Sequence, residues 1–71
     1  MIGNDMLKKL YFYFEEKKII HISCNSNRFY NGTILEINNI KEFLLLVDKK
    51  LGVVPIMFEE ILNIEPFLEE K

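Results

Sequence analysis

Apolar and polar positions follow two different periods along this chain, and the change from one to the other divides it. Over residues 5–16, Leu7, Leu10, Tyr11 and Phe14 recur at i, i+3, i+4 and i+7, while Lys8, Lys9, Glu15 and Glu16 fall elsewhere. That spacing predicts one short amphipathic helix. Asn4 or Asp5 is placed to cap its start, and Lys17-Lys18 suit the negative end of its dipole. Tyr11, Phe12 and Phe14 could serve as a docking or base-stacking stripe, but aromatics at helical spacing more often face the domain's own core.

From residue 18 onward the period is two. Ile20-His21-Ile22-Ser23-Cys24 puts Ile20, Ile22 and Cys24 on one face of a first strand and His21 and Ser23 on the other. Asn25-Ser26-Asn27 reverses the chain into a second strand over residues 28–37, where Gly32 permits the bend and close approach of a tightly curled sheet. Asn38-Asn39, with Ile40-Lys41-Glu42, turns into a third strand over 43–47, whose unbroken apolar run implies cover on both faces. Asp48 to Gly52 is the next reversal, with Gly52 as the positive-φ residue. A fourth strand over 53–58 contains Pro55, which cannot donate to a ladder and so belongs on an edge or at a bulge. Glu59-Glu60 makes a short turn, as one 3₁₀ turn would, before a fifth strand over 61–65. Ile61 and Ile64 cannot share a face by strict alternation, so the turn is expected to run into Ile61. Pro66 ends that strand, and residues 68–71 form a tail expected to fray.

Size and charge narrow the classes. At 71 residues the chain is one domain, residues 1–71, and a chain this short buries only about 60% of its unfolded surface. One cysteine cannot close an internal disulfide, and one His with one Cys falls short of a structural zinc site. Self-association is the remaining supplement. Nine basic against eleven acidic residues leave a formal charge of −2, so a nucleic-acid site has to be a local one. The absence of a signal-peptide pattern or a membrane-spanning run points to the cytoplasm.

Catalysis finds little to stand on. His21 and Cys24, three apart on a strand, lie on opposite faces and cannot form a nucleophile–base pair. Glu59 and Glu60 are adjacent turn acids that ordinarily point into water, and neither a glycine-rich phosphate cradle nor a metal-ligand spacing occurs. The expectation is a non-enzymatic protein with no cofactor.

The order of helix, bent hairpin with a mid-strand glycine, apolar third strand, short turn and closing strand resembles the Sm-like family, which includes the Sm and LSm proteins, archaeal homologues and bacterial Hfq. Ile20 and Ile22 match the first strand of the family's opening motif. Ser26-Asn27 stands at its turn, Gly32 at its glycine, Ile34 and Ile37 at its apolar positions, and Asn38 where Asp is usual. Ile61-Leu62-Asn63-Ile64-Glu65-Pro66 fits the closing motif. The resemblance covers nearly the whole chain. It implies a mainly β fold, with an N-terminal helix over about 5–16 on a strongly bent five-stranded antiparallel Sm-like (SH3-like) barrel over about 18–67. Other SH3-like or Tudor barrels share the strand pattern, and the helix and the Ile-Glu-Pro ending weigh against them.

The resemblance also implies a homo-oligomeric ring, hexamer or heptamer, closed by pairing strand four with strand five of a neighbour, and binding of U- or A-rich single-stranded RNA on its inner rim. At the rim positions this chain has Asn38, Asn39, Ile40 and Glu42, and Met57-Phe58-Glu59 replaces the family's basic pair. Asn38 and Asn39 are then the candidate base-bonding residues, Ile40 occupies the stacking position and Phe58 is a candidate stacker. Arg28, Lys49 and Lys50 are the candidate phosphate contacts, with Lys17 and Lys18 also available. The competing reading is a structural or protein-interaction barrel that has kept the ring and lost base recognition, with Asn38-Asn39 a plain turn and Phe58 plain core.

Overall fold

A computed structural model describes residues 3–67, and the tail over 68–71 lies outside them. The predicted elements are present: helix α1 (Asn4–Glu16), then strands β1 (Ile20–Cys24), β2 (Phe29–Asn38), β3 (Phe43–Asp48), β4 (Gly52–Met57) and β5 (Ile61–Pro66), with a 3₁₀ turn, Phe58–Glu60, between the last two. The strands form one antiparallel sheet in the order β4-β3-β2-β1-β5. It does not close: β4 and β5 are the two edges, so hydrogen bonding leaves an open sheet where the sequence implies a barrel.

The sheet is nevertheless strongly curled, and the connection between β4 and β5 shows why. Flat, the outer strands of a five-stranded sheet would stand about 19 Å apart, at roughly 4.8 Å per spacing. The three residues of the 3₁₀ turn advance only about 2 Å each, so edge can reach edge only if the sheet wraps round.

Two β-bulges make the wrapping compatible with one core. The β2–β3 register shifts between Ile34 and Glu36, leaving Leu35 without a partner and 52% exposed. The β1–β5 register shifts between Ser23 and Cys24, and Leu62 is the extra residue, 64% exposed. An inserted residue resets the alternation of faces. Ile34 and Ile37, three apart, therefore both reach the core side, as do Ile61 and Ile64. The sequence expectation that the turn runs into Ile61 is corrected: Ile61 belongs to β5, and the bulge at Leu62 turns it inward.

Gly32 lies mid-strand, opposite both Ile20 and Asp48. A Cβ there would collide with the Val47 carbonyl, so the glycine is required for the close approach of β2 and β3.

The core joins Leu10 of α1 to Ile20, Ile22, Cys24, Tyr30, Ile34, Leu44, Leu46, Ile56, Phe58 and Ile64. Met6, Leu7, Tyr13 and Phe14 pack against it, so the helix presents Tyr13 where the sequence pattern selects Tyr11. Its N-cap is Gly3, with no side-chain cap from Asn4 or Asp5, and Lys17 ends it in the left-handed conformation (φ 55°). The β3 run is not covered on both faces: Leu44, Leu46 and Asp48 are buried, while Val47 is exposed. Pro55 does lie on an edge strand, and the Met57 N–H beside it donates to Glu60 Oε2 at 3.2 Å. No helix among the described residues is long and apolar enough to cross a membrane.

Candidate nucleic-acid interface

The β2–β3 turn carries most of the sequence-derived base contacts, and its geometry uses them for itself. The Asn38 Oδ1 accepts the Lys41 N–H at 2.9 Å, a side-chain turn that consumes the carboxamide oxygen. Asn39 is exposed, and Ile40 at the tip is 93% exposed but has no π face to offer a base. Glu42 sits at φ 58°, and its carbonyl accepts the Phe58 N–H at 2.9 Å, tying the turn to the 3₁₀ segment. Phe58 is 2% exposed in the core, so its ring is not available for stacking. Ile40, Lys41, Glu42, Met57 and Glu59 line a shallow depression with two carboxylates and one ammonium, a poor seat for phosphate.

A second region, on the outer face of the sheet, gathers complementary groups. Alternation that buries Ile22 and Tyr30 sends His21, Phe29 and Asn31 outward. The His21 ring stacks on Phe29, with centroids 5.6 Å apart and planes 18° from parallel. His21 Nδ1–H donates to Asn31 Oδ1 at 2.6 Å. The Asn31 N–H donates to Asp48 Oδ2 at 3.0 Å, and its carbonyl accepts the Lys49 N–H at 2.9 Å. Asp48 Oδ1 accepts the N–H groups of Lys50 (2.8 Å) and Leu51 (2.9 Å), which closes the β3–β4 turn. The Leu51 hydrogen bond first, then those from Lys50 and Asn31 and the Lys50 charge, holds the Asp48 carboxyl below its ordinary range against the opposing effect of burial.

These groups surround an open cleft of about 350 Å³ lined by Phe29, Asn31, Asp48, Lys49, Lys50, Leu51 and Phe67. Phe29 is 61% exposed despite the histidine against its ring. Lys49 Nζ sits 4.5 Å from the Phe67 ring centroid, a cation–π contact. Phe67 is held by its N–H donating to the Ile19 carbonyl at 2.9 Å.

Of the sequence-derived phosphate candidates, the structure brings Lys49 and Lys50 together with an exposed aromatic and an amide. Arg28 is exposed in the β1–β2 hairpin, where its carbonyl accepts the Cys24 N–H, and it does not line the cleft. Phe29, Asn31, Leu51 and Phe67 are not flagged by the sequence patterns. The available signal was parity: Phe29 lies out of phase with the buried Tyr30, and a phenylalanine on the solvent side of a strand is out of place. Cys24 is buried on the opposite face of β1 from His21. Burial, and then the Glu60 charge, pushes its thiol up, against the lowering effect of Arg28. Among the described residues no three His, Cys, Asp or Glu side chains cluster as metal ligands. No protein-family model matches the chain, and no curated protein matches it in sequence.

Proposed function

We propose that this chain is a Sm-like, single-stranded RNA-binding protein that contacts RNA through the outer-face cleft rather than the β2–β3 rim. The observation that carries the reading is the meeting of an exposed Phe29 ring, the Asn31 amide and the Lys49 and Lys50 ammoniums around one opening. A base stacked on an aromatic side chain is worth about 1–3 kcal/mol, and two lysines beside it supply the phosphate contacts that the net charge of −2 does not supply globally. The helix preceding a strongly curled five-stranded antiparallel sheet supports the Sm-like reading. Pairing of β4 with β5 of a neighbour in a hexamer or heptamer would cover the edges that carry Val53, Met57 and Leu62.

Fluorescence polarisation against short oligo-U, oligo-A and single-stranded DNA tests it. Wild type is expected to bind RNA with an affinity that falls as salt rises, and Lys49→Ala/Lys50→Ala to flatten that dependence. Asn38→Ala/Asn39→Ala is expected to bind as wild type does. Absence of binding to any of these polymers sinks the reading. It would leave a structural or protein-interaction barrel, which the paired acids Glu42 and Glu59 on the rim favour.

A further inference from the structure

The outward face of α1 mirrors itself with the charges reversed. Residues 8–16 read Lys8-Lys9-Leu10-Tyr11-Phe12-Tyr13-Phe14-Glu15-Glu16, so that about Phe12 tyrosine answers tyrosine and each lysine answers a glutamate. At about 100° per residue, Lys8 and Glu16 lie about 40° to either side of Phe12, and Lys9 and Glu15 about 60°. All four charged residues are exposed, and Phe12 is 55% exposed in their midst. Its ring meets Tyr13 edge-on, with centroids 5.6 Å apart and planes at 65°, and Tyr13 packs against the core, so the phenyl is braced where it meets solvent. A single helix makes no use of this order. The lysines and glutamates stand six to eight residues apart, outside the three- or four-residue spacing at which opposite charges on a helix meet. Glu15 and Glu16 also occupy the last turn, where the helix dipole disfavours anions and no basic residue precedes the Lys17 cap.

We propose that this face recognises a second copy of the chain, the two α1 helices packing antiparallel about a two-fold axis at Phe12. A two-fold contact requires a patch complementary to itself, and the reversed order of charges supplies one. Lys8 of one copy lies beside Glu15 of the other on one flank of the seam, and Lys9 beside Glu16 on the other flank, with the two Phe12 rings between them. Asp5, on the same face, falls beyond Glu16. Parallel packing would instead set lysine against lysine and glutamate against glutamate, as unfavourable as the antiparallel match is favourable. The lysines of one copy also bring to the last turn of the other the cations it lacks. The contact uses neither the sheet edges nor the cleft, and so stands apart from the RNA-binding reading. At 1.5 Å per residue the overlap is only about 13 Å long. It is smaller than a standard interface and is expected to form at protein concentrations of roughly 0.1–1 mM, doubling whatever assembly the sheet edges build.

Sedimentation velocity at these concentrations and at about 50 mM salt, where exposed charges are little screened, tests it. Wild type is expected to sediment at about twice the mass of Lys8→Glu/Lys9→Glu and of Glu15→Lys/Glu16→Lys, in each of which like charges meet across the seam. The second variant keeps the magnitude of the formal charge and reverses its sign, so general repulsion does not explain its loss. An equimolar mixture of the two is expected to regain the wild-type mass. So is the chain carrying all four substitutions, which again pairs opposite charges when antiparallel. Phe12→Ala is expected to lose the doubling, because it removes the apolar centre of the contact. Every substitution is at an exposed position, and circular dichroism melts identify any variant that fails to fold, leaving the others to decide. Charge variants that sediment as wild type does, a mixture that stays at the lower mass, or a fourfold variant that fails to double overturns the proposal. Phe12→Ala at the wild-type mass does the same. None of these measurements includes nucleic acid, so this proposal and the RNA-binding reading fail separately.

Discussion

The two ends of β2 were supplied with nearly the same residue types and put them to opposite uses. At one end Asn38, Lys41 and Phe58 meet with Glu42 and Glu59 close by; at the other Asn31, Lys49, Lys50 and Phe29 meet with Asp48. In the first the aromatic ring is buried, the amide oxygen closes its own turn, and the carboxylates line the surface depression. In the second the ring is out, the amide bridges two strands, and the carboxylate is buried under three N–H groups. Composition therefore says little about which end leaves its polar and aromatic groups open to solvent. Strand parity and the ownership of each hydrogen bond decide it.

The comparison is broken most forcefully at the two phenylalanines. Phe58→Ala is expected to cost about 3–5 kcal/mol of stability, read as a lower midpoint in urea unfolding. Phe29→Ala should leave that midpoint nearly in place and instead weaken RNA binding by about 1–3 kcal/mol, the stacking of one base. A stability loss of the same size in both variants would erase the distinction.

Asp48 comes next in size. Replacing it with Asn is expected to cost about 2 kcal/mol at neutral pH, since three N–H donors lose a charged acceptor. Because the native carboxyl is held below its ordinary range, its contribution is present above the unfolded value, near pH 4. The contribution is lost as pH falls through the lower native value. Wild type and Asp48→Asn should therefore converge in stability below about pH 4, and parallel urea melts across pH would contradict this. The smallest effect is at Glu42, whose φ of 58° is strained for a residue with a Cβ. Glu42→Gly is expected to raise the melting midpoint, by about 0.5–1 kcal/mol of stability.

Much of the scaffold was legible because it depends on local pattern: the two periods, the turn residues at Asn27 and Gly52 with positive φ, and the edge position of Pro55. Less accessible were the bulges at Leu35 and Leu62, which arise from register between strands. No periodicity within β2 or β5 marks where the partner strand will skip. The same limit hid the outer-face cleft. Lys49 and Lys50 stand out in the sequence, whereas Asn31 and Phe67 join them only through long-range contacts: Asn31 bonds to Asp48 and Lys49, and the Lys49 ammonium sits over the Phe67 ring. Phe58 invited a stacking role because it stands where the Sm-like resemblance puts a basic pair, at the end of the expected fourth strand, but the 3₁₀ turn rotates it into the core.

One flank of the sheet has a further property. Along β4, Pro55 brings no amide hydrogen and that of Met57 is already spoken for by Glu60. A visiting strand would find that rail short of rungs and gain most from covering Val53 and Met57. Contact made mainly by such oily side chains loosens on chilling and on dilution, and tolerates brine. Copies joined there should come apart in a cold, dilute sample, whereas any nucleic acid held by the lysine cleft would be released by salt instead.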